Sequence, residues 1–186
     1  SAPVAGQLGR PGYMLNEPES AAVRRYSAFL LASVVKVIAE AQRDLQPATL
    51  AFGQGFAGFG VNRRRVRLRK LPGPVDQDVP VLTVRGPGGE LRAVVAGYAC
   101  HATALSDYKI SGDWPGYFQE EFERAHPGAQ AMFVAGCGAD VNALPRNTEE
   151  LARKYGQILA AAVDEVVRGK PAPAGGPLEA AFDTVA

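Results

Sequence analysis

The sequence contains little cysteine, little histidine and no long apolar run, and each shortage excludes a class of protein. Among its 186 residues there are two cysteines and two histidines, so a centre of four thiolates or of three imidazoles cannot be built from this chain. Two cysteines do not make a disulfide framework, and the sequence leaves open whether Cys100 and Cys137 pair. No apolar stretch approaches the ~20 residues that a membrane-spanning helix needs, so we expect no transmembrane segment.

Net charge is also scarce. The 20 Lys and Arg residues nearly balance the 19 Asp and Glu residues, which leaves a formal charge of +1. This balance argues against a dedicated nucleic-acid binder, and we expect no nucleic-acid partner. A composition with 47% hydrophobic and 21% charged residues is ordinary for a globular protein. The length predicts a single domain over residues 1–186.

In the N-terminal half, apolar residues recur every three or four positions after Asn16, which predicts a long helix that ends before Pro47. Asn16 is the expected N-cap, with Glu19 at the capping-box position. We expect the apolar stripe of this helix to lie in the core. Residues 49–52 are a short strand candidate. Arg alternates with Val and Leu over residues 63–70, which predicts a half-buried strand with a cationic outer face.

The C-terminal half predicts the order strand, strand, helix, strand, helix. The apolar segments 79–84 and 91–99 flank a Gly-Pro-Gly-Gly turn, as in a hairpin. A helix over 114–125 leads to a short buried strand at 131–135. A linker at 171–176 would precede one further strand in the last ten residues. The predicted fold class is therefore α/β, a mixed sheet with long flanking helices that contains a strand–helix–strand crossover.

The crossover brings two loops together. If its two strands are parallel, their loops emerge on the same carboxyl edge of the sheet, where open α/β sheets bind ligands. These loops are residues 100–103 and 137–142. They carry three polar side chains to that edge, which are His101, Asp140 and Asn142. The sequence therefore predicts a shared pocket from segments about forty residues apart.

Several motifs in chain order resemble the catalytic domain of the neutral/alkaline (non-lysosomal) ceramidases. They are Asn62-Arg63, residues 74–84, Tyr98 to Thr103, Ile110 to Tyr117 and Gly136 to Asn142. That family comprises secreted, zinc-dependent amidohydrolases that split N-acyl sphingosine into a fatty acid and a sphingoid base. The resemblance implies metal-assisted hydrolysis of an N-acyl amide in a small lipid-like molecule, and a secreted or periplasmic protein.

The resemblance also implies roles for individual residues. His101 corresponds to a zinc ligand of the family, and Arg63 to an arginine near the substrate. The family's other zinc ligands fall outside this chain, so the resemblance implies an internal fragment whose parent chain supplies them. Asn142 replaces a serine of the family pattern; its amide is no nucleophile but can orient a substrate carbonyl or a water. Asp140 is a candidate for substrate binding, and Asp113 or Asp140 would orient the His101 ring.

Plainer interpretations exist for the same residues. Asp113 and Asn147 are expected N-caps of the two helices in the C-terminal half. Asp140 and Asn142 both suit tight turns, and His126 fits a structural role at a helix end, where the dipole favours a cation. The alternative to an enzyme is a degenerate, non-catalytic relative that keeps the scaffold and binds its ligand without cleaving it.

Overall fold

The computed structural model describes residues 15–66, 73–107, 109–177 and 179–183. They fall into two compact units divided between Gln46 and Pro47. The first unit contains one helix, α1 (Glu17–Arg43), among its described residues. The single domain over residues 1–186 stays a prediction.

The predicted capping box begins α1. The Asn16 side chain accepts a hydrogen bond from the Glu19 amide, and the Glu19 carboxylate accepts one from the Asn16 amide, both at 2.9 Å. The expectation that the apolar stripe lies in the core is wrong, because α1 has no buried residue and Tyr26 of the stripe, for example, is 59% exposed. The described part of this unit holds no second helix or strand on which the stripe could pack.

The second unit contains seven short strands and three helices in its described residues. The strands are β1 (Thr49–Phe56), β2 (Gly60–Asn62), β3 (Asp78–Arg85), β4 (Leu91–Tyr98), β5 (Gln130–Ala135), β6 (Val141–Ala143) and β7 (Ala172–Ala174). The helices are α2 (Arg63–Val66), α3 (Asp113–Ala125) and α4 (Glu149–Arg168). Five strands form one sheet in the order β5-β4-β3-β1-β7, and β2 pairs with β6 in a second, two-stranded sheet.

The predicted α/β class is confirmed. β3 and β4 form the expected antiparallel hairpin, whereas β4 and β5 are parallel and joined through α3. The large sheet is therefore mixed, and β4–α3–β5 is the strand–helix–strand crossover. No helix among the described residues is both long and apolar enough to span a membrane.

One face of the large sheet is buried under α3 and α4. Alternate residues of a strand point to the same face, and Val79, Val81 and Val94 are completely buried in one core cluster with Trp114. The two helices pack closely, because a Cβ atom at Gly156 of α4 would lie only 2.6 Å from the Cβ atom of Tyr117. The alternate residues of the strands lie on the other face, where several large apolar side chains are exposed. They include Phe52, Met132 and Val134.

The arginine-rich segment departs from the expected strand. Arg63–Val66 is a short helix, α2, and residues 67–70 lie outside the described residues. The Asn62 side chain accepts a hydrogen bond from the Arg64 amide at 3.1 Å, which favours a turn over an extended chain. The alternation of Arg with Val was therefore a poor guide to backbone conformation at this point.

Two boundaries in the last third also differ from expectation. The side chain that caps α4 belongs to Thr148, whose hydroxyl accepts from the Leu151 amide at 3.2 Å; Asn147 instead takes a positive φ of 84° before the cap. The last strand of the described residues is β7 at Ala172–Ala174, inside the expected linker. Among residues 179–183, where a strand was expected, the structure has none.

Candidate functional site

The candidate site lies at the carboxyl edge of the crossover, where the sequence predicted it. The parallel register of β4 and β5 ends with Tyr98 opposite Ala135. The Gly136 amide then donates to the Tyr98 carbonyl at 3.0 Å, so the two following loops leave the sheet side by side. The geometric prediction of two adjacent loops is confirmed.

A glycine allows the second loop to touch the first. A Cβ atom at Gly138 would lie 2.4 Å from the Cys100 nitrogen and 2.5 Å from the Ala99 carbonyl carbon. Both neighbours are main-chain atoms, so no side chain can turn away to make room. Only glycine fits this crossing without displacing one of the loops.

The two loops are hydrogen-bonded to each other, and a third segment, which contains Arg63, is bonded to the second loop. His101 forms an isolated parallel bridge with Asn142, and its amide donates to the Val141 carbonyl at 2.9 Å. On the other side of the second loop, β2 pairs with β6, and the Arg63 amide donates to the Asp140 carbonyl at 2.8 Å. The structure thus brings Arg63, His101, Asp140 and Asn142 together.

The carbonyl oxygen of Ala139 is the point at which the basic groups meet. Arg63 Nη2 donates to it at 3.0 Å, and His101 Nε2 lies 3.2 Å from it. A carbonyl oxygen only accepts hydrogen bonds, so Nε2 carries the ring proton in this contact. In the neutral ring the lone pair is then on Nδ1, and a metal ion would bind to that nitrogen.

Asn142 presents a buried acceptor at the same edge. Its side chain is only 7% exposed, and its Oδ1 atom has no hydrogen-bond partner among the described residues. The Thr103 hydroxyl, two residues after His101, is buried and unpartnered in the same sense. Leaving a buried polar atom without a partner costs roughly 1–3 kcal/mol, and such atoms in a native fold call for an explanation such as a ligand or a water.

Asp140 does not project into open space as a free carboxylate. Its Oδ2 atom accepts a hydrogen bond from Asn62 Nδ2 at 2.8 Å. Sequence reasoning missed Asn62 as part of the site; the only signal was that it directly precedes Arg63. A buried asparagine that ties Asp140 to the arginine turn can be found only when the fold brings residues 62 and 140 together.

The two roles expected for Asp113 are both corrected. It is the first residue of α3 rather than its N-cap, which is Gly112. Its carboxylate accepts from the amides of Ala104 at 3.1 Å and Leu105 at 2.9 Å, so it fastens the first loop to α3. The group that contacts the His101 ring nitrogen is a main-chain carbonyl, and neither Asp113 nor Asp140 takes that position.

Cys100 and His126 have structural surroundings. Cys100 and Cys137 are both free, which answers the question that the sequence left open. Burial raises the pKa of the Cys100 thiol to about 12, so it is not a thiolate nucleophile near neutral pH. His126 stacks on Phe122 and pairs with Asp164 at 2.9 Å, as expected of a structural histidine.

An apolar groove of about 300 Å³ runs along the sheet face that α3 and α4 leave open. Its sides include Phe52, Leu82, Val95 and Val134. Its lining contains none of the four candidate residues, but it includes Ala99 and Gly136, which directly precede the two site loops. A larger cavity of about 420 Å³ is lined by other residues, from Leu105 to Ser111 and around the start of α4, and contains none of the four candidate residues.

The described residues do not by themselves form a metal centre. No three His, Cys, Asp or Glu side chains among them lie close enough to hold a metal ion, and zinc normally takes three or four protein ligands. The His101 ring could supply one of the ligands of such a centre. The zinc prediction therefore stays a prediction, with the other ligands outside the described residues.

Comparison with solved structures supports the fold. The chain is similar to the crystal structure of neutral ceramidase from Pseudomonas aeruginosa, with 24% identity over 71% of this chain and a TM-score of 0.61. It is similar to a ceramidase complexed with C2, with 24% identity over 67% of this chain and a TM-score of 0.59. It spans only about a quarter of the length of each structure (24% and 23%). Neither the known protein families nor the curated proteins include a match. The comparisons thus support a ceramidase-like fold for about two thirds of this chain.

Proposed function

We propose that this chain contributes part of the active site of a zinc-dependent amidohydrolase that cleaves an N-acyl amide bond in a ceramide-like lipid. The observation that carries the proposal is the convergence of Arg63 and His101 on the Ala139 carbonyl, beside the unpartnered amide oxygen of Asn142. The ceramidase-like fold supports the choice of reaction, and the motif resemblance supports a secreted or periplasmic location.

His101 would supply one ligand to the zinc ion through Nδ1, while Nε2 stays on the Ala139 carbonyl. The other ligands would come from the remainder of the parent chain. Zinc, when bound, would polarise the amide carbonyl and lower the pKa of a bound water toward ~7. The contact of Nε2 with a fixed main-chain oxygen would hold the ring in the tautomer that a metal ion at Nδ1 requires.

Arg63 and Asn142 would act on the substrate directly. The Arg63 guanidinium uses Nη2 to reach Ala139, and its other N–H groups can donate to a substrate carbonyl as negative charge develops on it. The Asn142 Oδ1 atom can accept from the amide N–H or a hydroxyl of the substrate, which would give it the partner it lacks. Asp140 is a weaker candidate for substrate contact, because one of its oxygens is used by Asn62.

The apolar groove beside the site supports a lipid as substrate. An aliphatic chain in this groove would bury apolar surface, and each Å² buried would favour binding by roughly 25 cal/mol of free energy. Ala99 and Gly136 line the groove, so a chain within it would lie next to the points at which the loops that carry His101 and Asn142 begin. The chemistry of the pocket therefore fits an acyl amide with a long alkyl tail better than a small polar amide.

The test is the variant His101→Ala in the complete protein. We expect it to lose its zinc, measured by metal analysis, and with it the hydrolysis of a fluorescent long-chain N-acyl amide. His126→Ala is the matched control, because His126 is the other histidine of this sequence and its ring pairs with Asp164 rather than with a residue of the site. This variant should keep both zinc and activity. Unchanged zinc content in His101→Ala would refute the ligand assignment.

A second candidate is a non-catalytic relative that binds a lipid amide without cleaving it. In its favour, Asn142 has an amide where the pattern of the family that this chain resembles has a serine, and an amide cannot attack a carbonyl. Zinc and lipid binding by the complete protein, with no turnover of any N-acyl amide, would support this candidate over the hydrolase.

A further inference from the structure

Asn62 uses its buried side chain to join three separate segments. The residue is only 5% exposed. Its Nδ2 group donates to Asp140 Oδ2 at 2.8 Å and to the Pro74 carbonyl at 3.1 Å. Its Oδ1 atom accepts from the Arg64 amide at 3.1 Å. The amide is thus hydrogen-bonded at both ends, which fixes its orientation.

Asp140 is hydrogen-bonded to two consecutive residues, Asn62 and Arg63. Its carboxylate bonds to Asn62, and its carbonyl accepts from the Arg63 amide at 2.8 Å. The preceding residue is Ala139, whose carbonyl faces both Arg63 Nη2 and His101 Nε2. Because consecutive peptide units share a Cα atom, the direction of the Ala139 carbonyl depends on how Asp140 is held.

We propose that Asn62 is a positioning residue, which acts through Asp140 to aim the Ala139 carbonyl between Arg63 and His101. In this arrangement Asn62 sets the tautomer of His101 without touching the ring. The catalytic meaning of the inference rests on the proposed function. Its structural content, the dependence of the His101 proton on a residue 39 positions earlier, is testable without any reaction.

Asparagine is the side chain that this position requires. Alanine would remove all three hydrogen bonds, whereas aspartate could still accept from the Arg64 amide but could not donate to Asp140. Two carboxylates in contact also repel. In the exchanged pair Asn62→Asp with Asp140→Asn, the donor and the acceptor change places and the hydrogen bond between residues 62 and 140 can form again, while the Pro74 carbonyl stays without its donor.

The direct readout is the tautomer of His101, measured by long-range ¹H–¹⁵N NMR on the full 186-residue chain at a pH where the ring is neutral. In the wild type we expect the proton on Nε2. Asn62→Ala should give a mixture of both tautomers at His101 and leave His126, the internal reference, unchanged. The control Thr83→Ala removes another buried hydrogen bond, from the Thr83 hydroxyl to the Ala51 carbonyl at 3.2 Å, and should change neither histidine.

The exchanged pair distinguishes a specific effect on the His101 tautomer from a general loss of folded structure. Asn62→Asp alone should disturb His101 as Asn62→Ala does, and the double variant with Asp140→Asn should return the proton to Nε2. The proposal is overturned if Asn62→Ala keeps the wild-type tautomer, if Thr83→Ala shifts it equally, or if the double variant is no nearer the wild type than the single one.

Activity separates this proposal from the proposed function. If the complete protein is a hydrolase, Asn62→Ala should lower kcat on the order of 10- to 100-fold with little change in KM, because a displaced catalytic group costs rate more than binding. If the wild type has no hydrolase activity, the proposed function fails, while the tautomer of His101 still decides whether Asn62 is a positioning residue.

Discussion

A buried hydroxyl in the core and two buried polar atoms at the carboxyl edge of the sheet differ in their hydrogen bonding. In the core, the Tyr98 hydroxyl accepts from the Gly60 amide at 3.0 Å and contacts the Ala57 carbonyl at 2.5 Å. At the edge, Asn142 Oδ1 and the Thr103 hydroxyl are buried without partners among the described residues. Within the part of the chain that the structure describes, the two buried side-chain polar atoms without a partner therefore both lie in the loops at this edge, where a hydrogen bond from a bound molecule would satisfy them.

The largest effect on stability is expected at the carboxyl edge, from Gly138→Ala, which would force the two site loops apart. The new Cβ atom would overlap main-chain atoms of Ala99 and Cys100, so we expect a loss of about 3 kcal/mol in the free energy of unfolding, measured by urea denaturation. Gly116→Ala in α3 is the control, since a Cβ atom there has nothing within 4 Å; alanine in a helix should stabilise it by up to about 1 kcal/mol. Equal stability of the two variants would contradict the loop contact.

The next largest effect is expected in the core, from Tyr98→Phe. Loss of the hydroxyl leaves the Gly60 amide and the Ala57 carbonyl without their partner, which should cost about 1–3 kcal/mol. Burial raises the pKa of Tyr98 from 10.0 to about 12. Between these values the folded state keeps a proton that the unfolded chain has lost, so stability falls as the pH rises through this window.

The variant should therefore lose stability less steeply than the wild type between pH 10 and 12, in denaturation measured at a series of pH values. It should still lose some, because the buried Cys100 thiol has its pKa raised from 9.0 to about 12 and contributes a fall of the same sign. An unchanged pH dependence in Tyr98→Phe would mean that this hydroxyl ionises equally easily in both states.

The smallest effect on stability should come from the edge, with Asn142→Leu. Its Oδ1 atom makes no hydrogen bond to lose among the described residues, so an apolar side chain of similar size should change the free energy of unfolding by less than about 1 kcal/mol. If the amide serves a substrate, the same variant should bind a lipid amide more weakly, as measured by calorimetry with the complete protein. A large loss of stability would assign Asn142 to the fold instead.

The crossover and its shared edge could be predicted from the sequence because the signals are local. Apolar runs of strand length, a Gly-rich turn and the Pro and Gly around residues 114–128 mark β3, β4, α3 and β5 one after another. The carboxyl ends of parallel strands then meet by topology alone. For this reason His101 and Asn142 could be assigned to one place without any knowledge of their contacts.

The rest depended on contacts between distant segments. Arg63 begins a helical turn because Asn62 and Asp140 hold its neighbours, and the pairing of residues 62 and 140 is not encoded in either segment. Asp113 has the side chain of a helix cap, yet the amides of Ala104 and Leu105 take its carboxylate. In each case the local propensity was plausible and a tertiary hydrogen bond decided otherwise.

The carbonyl on which Arg63 and His101 converge belongs to a residue whose own side chain is a single exposed methyl group. Replacing side chains one at a time would overlook it, because every L-residue at position 139 carries the same main-chain oxygen. Chemical synthesis with an ester in place of the peptide bond between Ala139 and Asp140 would weaken that oxygen as an acceptor while leaving every side chain as it is. The contacts of Arg63 and His101 therefore depend on the path of the main chain at position 139 and not on the side chain found there.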